Sequence, residues 1–110
     1  MQLLTQAIRA QIPALYSQEK NDDPACWIKF FTPDSNWTWY VIEGDAIEEA
    51  PEDFRFFGYV VGFDSELGYF TLAELEKARG PLGLAIERDR YFQPAPLSTI
   101  KAQHEQRISA

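Results

Sequence analysis

The stretch FFTPDSNWTWYVIEG, residues 30–44, places five aromatic side chains in fifteen positions around one polar turn. Pro33 presets the backbone for the second position of a type I turn, and the three polar residues after it supply local hydrogen bonds. The flanking segments, 25–31 and 37–43, are rich in aromatic and β-branched residues, which favour strands. The stretch therefore predicts a β-hairpin, and the rest of the fold is built around it.

If Thr32 lies opposite Trp37 in this hairpin, Phe30 lies opposite Trp39 and Ile28 opposite Val41. Side chains alternate between the two faces of a strand, so each face can be read separately. One face is wholly apolar and is predicted to be core: it carries Cys26, Ile28, Phe30, Trp39 and Val41. The other face is mixed and is expected to be partly exposed or covered by a helix: it carries Trp27, Lys29, Phe31, Thr38 and Tyr40.

Two further strands and one helix follow the hairpin. Residues 54–63 form the strongest strand pattern, and Gly58 and Gly62 on one of its faces indicate either a close approach by another element or a bulge. Residues 67–70 predict a short fourth strand. Thr71-Leu-Ala-Glu74 is a capping box, which predicts a helix from there to about Arg79.

The remaining segments are predicted as loops and terminal helices. Residues 5–12 predict a short helix capped by Thr5, and the acidic stretch 44–53 is expected to be a loop. Residues 98–107 predict a final helix capped by Ser98, within a loosely attached tail, 99–110.

Together these elements predict a single α+β domain over residues 1–110. Its core is a small antiparallel sheet of about four strands, with the capped helix packed on one face and short helices at the termini.

The net charge of −7 is unevenly placed. All ten Lys and Arg lie outside residues 30–54, which hold seven of the 17 acids. Direct binding to nucleic acid needs clustered Lys and Arg, so it is not expected; a basic partner, a hard cation or plain solubility fit the pattern. The lone Cys26 and the absence of a signal peptide or long apolar run predict a cytoplasmic protein that does not enter the membrane.

Most catalytic and cofactor signatures are missing from the sequence. One His and one Cys, Cys26 and His104, are too few for a zinc site, and there is no phosphate-binding glycine loop, so no cofactor is predicted. Carboxylates are the abundant functional group. If the protein is an enzyme, its acid–base groups or metal ligands would come from Glu43, Glu66, Glu87 and Asp89, with Arg88 on a developing anion. The alternative is an ion-pair clasp in which Arg88 or Arg90 satisfies these acids.

Exposed aromatic and acidic side chains indicate a protein interface instead. The candidates are Trp27, Trp37, Tyr40, Asp45, Glu48 and Glu49. A homodimer through the mixed hairpin face or through a sheet edge is a further option.

Four strings in order, KFFTPDSNWTWYVIEG, FFGYVVG, SELGYFTLAEL and LAIERDRYF, resemble the bacterial DUF2958 family over about residues 3–98. The resemblance rests on Trp37, Trp39, Glu43, Phe57, Gly58, Glu66, Gly68, Phe70, Glu74, Leu75, Glu87, Arg88 and Asp89. It implies a small cytosolic bacterial protein carried with plasmid and integrative-element genes, and it implies no particular activity.

We therefore expect a non-enzymatic interaction module of mobile-element context that binds a protein partner, in a narrower form one that counters host defence. The alternative function is a carboxylate-based, metal-dependent hydrolase or nucleic-acid-processing enzyme.

Overall fold

The computed structural model describes residues 2–109. In chain order its elements are α1 (Gln6–Arg9), β1 (Ala25–Cys26), β2 (Ile28–Phe31), β3 (Thr38–Ile47), β4 (Ala50–Val61), β5 (Ser65–Thr71), α2 (Leu72–Lys77), β6 (Glu87–Arg88), β7 (Ala95–Pro96) and α3 (Leu97–Ser109). None of the helices in this range has the length and apolar content needed to cross a membrane.

The strands form an antiparallel five-stranded sheet in the order β5-β4-β3-β2-β6, beside a two-stranded sheet of β1 and β7. The expected α+β class with an antiparallel sheet is therefore confirmed, but the expected four strands become five. The additional strand, β6, pairs with β2 so that Phe30 lies opposite Arg88 and Phe31 opposite Glu87. It was missed because two residues are too short to give a strand pattern.

The predicted hairpin is present with the predicted register. Phe30 lies opposite Trp39 and Ile28 opposite Val41. The turn is closed by the Thr32 amide, which donates to the Trp37 carbonyl at 3.0 Å. A polar turn of fixed length next to strands with one apolar face leaves little choice of pairing, which is why local sequence was sufficient here.

Cys26 does not share the face of Ile28, contrary to the prediction. The Trp27 amide donates to the Val41 carbonyl at 2.8 Å, and the chain leaves the β2–β3 ladder there. β1 pairs instead with β7, with Cys26 opposite Ala95. The alternation of faces is interrupted at Trp27, so the Cys26 thiol belongs to the cluster on the opposite side of the sheet.

The sheet is covered on both faces, and each face has its own core. The first core packs the N-terminal segment and α2 against the sheet and comprises Leu3, Leu4, Ile12, Ile28, Phe30, Val41, Phe54, Phe56, Phe70, Leu75 and Ile86. The second core packs α3 against the other face and comprises Cys26, Tyr40, Ile42, Tyr59, Leu97 and Ile100. The mixed hairpin face is therefore covered by a helix around Tyr40.

The acidic stretch 44–53 is not a loop, as had been expected. β3 and β4 continue through it as a long two-stranded arm, in which Asp45 lies opposite Arg55 and Ala46 opposite Phe54. The turn at the tip contains Glu48 and Glu49. Its charged residues resemble a loop in composition, but they lie on an arm whose outer surface faces solvent, where charge is tolerated in a strand.

Two of the three predicted N-terminal helix caps, Thr5 and Thr71, are present. Thr5 accepts from the Ile8 amide at the start of α1, and Thr71 with Glu74 forms the capping box of α2. Asp53 adds a third acceptor, since its Oδ1 lies 3.0 Å from the Ala73 amide. The acidic arm is thereby fastened to the positive end of α2.

α3 begins one residue before the predicted cap, and a distant residue caps it. The Asp23 carboxylate accepts from the Ser98 amide at 2.8 Å and from the Ser98 hydroxyl at 2.6 Å. Both hydrogen bonds lower the pKa of Asp23, and the one from the Ser98 hydroxyl has the larger effect. Further along the helix, His104 Nε2 lies 2.7 Å from the Tyr40 hydroxyl. Leu97 and Ile100, at the start of α3, are buried in the second core.

We expect Gly58→Ala to destabilise the fold strongly, because a Cβ at Gly58 would lie 1.8 Å from the Tyr40 carbonyl oxygen on β3. Backbone cannot move aside cheaply, so the loss in unfolding free energy should reach about 2 kcal/mol or more. Gly68→Ala is the matched control on β5, where a Cβ would meet nothing within 4 Å; it should change stability by less than about 0.5 kcal/mol. Urea denaturation of both variants measures this, and equal stabilities would contradict the close approach.

We expect the Cys26 thiol to resist alkylation in the folded protein. Burial raises its pKa to about 12, and the charge of Asp23 acts in the same direction. The thiolate is the reactive species, so iodoacetamide at about pH 8 should modify Cys26 only after unfolding. Mass spectrometry of protein labelled with and without urea measures this, and rapid native labelling would show that the second core is open.

Candidate functional site

Glu43 is the most deeply buried of the candidate carboxylates, with 4% of its surface exposed. Its Oε1 accepts from the Tyr16 amide at 3.0 Å, and its Oε2 accepts from the Gln18 amide at 2.6 Å. Both oxygens are thus engaged by backbone donors, as a buried carboxylate requires. Its clear role in the structure is to hold the 13–20 segment against β3.

The two residues after Glu43 bind the same segment. The Gly44 amide donates to the Pro13 carbonyl at 2.9 Å, and Asp45 Oδ2 accepts from the Leu15 amide at 2.9 Å. Tyr16, between these contacts, has a φ of +68°, which is uncommon for a residue with a side chain. Three successive residues of β3 therefore fix the path of this segment and the position of the Tyr16 ring.

The other candidate carboxylates lie elsewhere. Glu66 is exposed on β5, opposite Val60, whereas Glu87 lies on β6 at the far edge of the sheet. Asp89, just after β6, pairs with Lys29 at 3.7 Å. Four strand-to-strand steps separate the two edges, which is about 19 Å.

The structure thus separates the candidate carboxylates. Across residues 2–109, no three His, Cys, Asp or Glu side chains group so as to hold a metal ion. The Arg88 guanidinium donates to the carbonyls of Gln2 and Leu3, at 2.7 and 2.8 Å. Arg88 therefore clasps the N-terminal segment, and the carboxylate convergence that the hydrolase alternative needs is not formed.

The predicted interaction residues occupy three different environments. Tyr40 is 3% exposed and belongs to the second core. Trp27 and Trp37 are half-buried, and Trp37 stacks on Trp39 with ring centroids 6.0 Å apart. The acids Asp45, Glu48 and Glu49 are exposed along the arm, Asp45 with one oxygen already bound to the Leu15 amide.

A depression lies between the 16–24 segment, β5 and the start of α3. It encloses about 540 Å³, and its walls are formed by Tyr16, Gln18, Glu19, Asn21, Asp22, Pro24, Ile42, Glu43, Phe57, Leu67, Tyr69, Leu97 and Lys101. Three apolar side chains remain open to solvent here: Tyr16 at 58%, Leu67 at 46% and Tyr69 at 54%. We call this depression the acidic groove.

The rings of the acidic groove support one another. Tyr69 packs on Phe57 with centroids 5.0 Å apart and on Tyr16 at 6.5 Å. The neighbouring Tyr16 side chain is the main cause that raises the pKa of Tyr69; burial and the charges of Glu43 and Glu19 act in the same direction. Sequence reasoning missed these residues, although the alternation in SELGYFT places Leu67 and Tyr69 on one face.

Acidic side chains outnumber basic ones around this groove. A second depression of about 530 Å³ adjoins it, sharing Leu67 and Lys101, and adds Glu66 and Glu105. Among the described residues that line the two depressions are the acids Glu19, Asp22, Glu43, Glu66 and Glu105 and the base Lys101.

The fold and this surface define a small α+β protein with a sheet covered on both faces and an open groove beside one edge strand. The family model described as protein of unknown function (DUF2958) matches residues 3–108, so the chain belongs to the DUF2958 family. The match includes most of α3, which lies beyond the 3–98 region that carried the resemblance. No curated protein and no solved structure matches the chain.

We expect Glu43→Gln to loosen the 13–20 segment, because an amide can accept through one atom only and carries no charge. The loss of charge-assisted hydrogen bonds should cost about 2 kcal/mol of stability and expose the Tyr16 and Gln18 amides to hydrogen exchange. Glu49→Gln, at the exposed tip of the arm, is the control with the same chemical change. Unaltered exchange at Tyr16 and Gln18 would show that Glu43 does not hold the segment.

Proposed function

We propose that this protein is a non-enzymatic interaction module that binds a basic protein partner in the acidic groove. The observation that carries the proposal is the coincidence of three solvent-open apolar side chains with a surplus of carboxylates in one depression. Aromatic side chains are enriched at the centres of protein interfaces, where they bury much area at a small entropic cost. Tyr16, Leu67 and Tyr69 would supply that centre.

The charges support a basic partner in preference to a neutral one. Among the described residues that line the groove, Lys101 is basic and the other charged side chains are acidic, and the chain as a whole carries −7. Complementary potential speeds encounter and rejects acidic partners, whereas the apolar centre determines how long the complex lasts. Acidic side chains at the groove would make binding selective for a basic partner, and the aromatic side chains would slow the dissociation of the complex.

The mobile-element setting that the family resemblance implies suggests where such a partner is found. Host defence proteins that act on foreign nucleic acid present Lys- and Arg-rich surfaces to phosphates. A small acidic protein in the same cytoplasm would occupy such a surface in place of the nucleic acid. On this proposal the module counters host defence by competition, without chemistry of its own.

The test uses immobilised protein and two sets of short synthetic peptides, one mixing Lys and Arg with aliphatic and aromatic residues, the other with Asp and Glu in place of the bases. We expect the basic set to bind and the acidic set not to bind, with affinity falling at high ionic strength. Leu67→Arg, in the groove, should weaken binding by about tenfold or more, since it places a like charge on an apolar contact.

Leu82→Arg is the matched control, because Leu82 is 81% exposed and lies outside both depressions. It makes the same change in net charge and should leave binding unchanged. Equal loss in the two variants would mean that binding depends on net charge alone, and failure of both peptide sets to bind would count against an interaction module at this groove.

A further inference from the structure

β5 is an edge strand of the sheet, with β4 as its neighbour on one side. It is seven residues long and pairs with β4 from Arg55–Thr71 to Val61–Ser65 without a break in register. The opposite edge, β6, has two residues. Proteins usually protect a long edge strand with Lys, Pro or a bulge, because its free amides and carbonyls can pair with another chain. The sequence of β5, SELGYFT, contains neither Lys nor Pro.

The acidic groove and this edge are parts of the same surface. Leu67 and Tyr69 lie opposite Tyr59 and Phe57 of β4, on the face that carries the second core. Glu66 lies opposite Val60, which packs with the first core, so its side chain leaves β5 on the other face, at the sheet edge where the residue also borders the second depression. Next to Glu66, Gly68 has open space above it. An incoming strand would therefore meet apolar rings on one face and a carboxylate with free space on the other.

We propose that β5 accepts an extended basic segment of the partner as a sixth strand of the sheet. This inference rests on the proposed function and specifies how the partner is held. Backbone hydrogen bonds to β5 supply affinity that does not depend on sequence, and alternate side chains supply specificity. Residues of the added strand that face Leu67 and Tyr69 are apolar, and those between them are Lys or Arg, within reach of Glu66.

Charge favours this occupant over a second copy of the protein. Two copies joined edge to edge would bring together chains of −7 each, with the carboxylates of both grooves near one another. A basic strand instead places Lys or Arg beside Glu66, on the same face of the sheet. The occupant is therefore a segment in which apolar residues alternate with Lys or Arg, of a length that spans seven residues of β5.

The experiment compares three forms of one synthetic peptide in which Lys and Val alternate. One form is unmodified; the others carry N-methyl groups on alternate amides, in one phase or in the other. Amides of a strand point alternately to its two sides, so one phase blocks every hydrogen bond toward β5 and the other blocks none. We expect one methylated form to bind at least about tenfold more weakly and the other to match the unmodified peptide.

Hydrogen exchange provides the second measurement. Bound peptide should slow hydrogen exchange at alternate amides of β5. A matched pair of substitutions tests the charge: Glu66→Lys, on β5, should weaken peptide binding, and Glu48→Lys should leave it unchanged. Glu48 is the control because it is also exposed but lies at the tip of the arm.

The outcomes separate the two proposals. Binding that ignores the phase of methylation would overturn strand addition and leave the interaction module standing. If no basic peptide binds, both the interaction module and the strand addition are contradicted. Sedimentation velocity that shows a stable dimer without peptide, dissociated by Leu67→Arg, would assign the edge to a second copy and overturn this inference.

Discussion

Five successive residues at the centre of β3, Tyr40 to Gly44, are buried, and the rest of the structure follows from that run. Alternate members of a strand face opposite ways, so a continuous buried run requires cover on both faces of the sheet. The N-terminal segment and α2 provide it on one side, and α3 on the other. A 110-residue chain has few helices with which to cover both faces of its sheet. For this reason even helices as short as α1 and α2 pack against the core.

The buried run includes one charged residue, Glu43, and the hydrogen bonds that its carboxylate requires determine the shape of the candidate site. An ionised carboxylate that is removed from water must recover hydrogen bonds, and the Tyr16 and Gln18 amides provide them. Meeting this requirement bends the 13–20 segment over the sheet and places the Tyr16 ring beside Tyr69. The wall of the acidic groove is therefore a consequence of the buried Glu43. The hydrogen bonds that satisfy its carboxylate also hold Tyr16 and Gln18 in the groove wall.

Local features of this fold were predictable from the sequence and long-range ones were not. The hairpin register, the capping box and the close approaches at Gly58 and Gly62 depend on residues near in sequence or on the absence of a side chain. The role of Glu43 depends on partners 25 and 27 residues away, and that of Asp23 on one 75 residues away. Nothing in the composition of either neighbourhood indicates such a pairing.

The acidic character of the chain has two separate physical origins. One group of carboxylates binds backbone amides of distant segments: Asp23 with α3, Asp34 with the turn at Leu82, Glu43 and Asp45 with the 13–20 segment, and Asp53 with α2. These acids replace packing area that a small domain cannot supply, and each is worth more than a surface ion pair because it satisfies a backbone donor.

A second group makes no such hydrogen bond to a backbone amide within residues 2–109: Glu48 and Glu49 lie exposed at the tip of the arm, and Glu19, Asp22 and Glu66 line the groove region. Carboxylates that neighbour one another without a structural partner repel, which costs stability. Solubility accounts for scattered charge, but it does not account for acids placed around exposed tyrosines beside a long strand edge that has no Lys, Pro or bulge. The proposed binding of a basic chain at this surface would account for that combination.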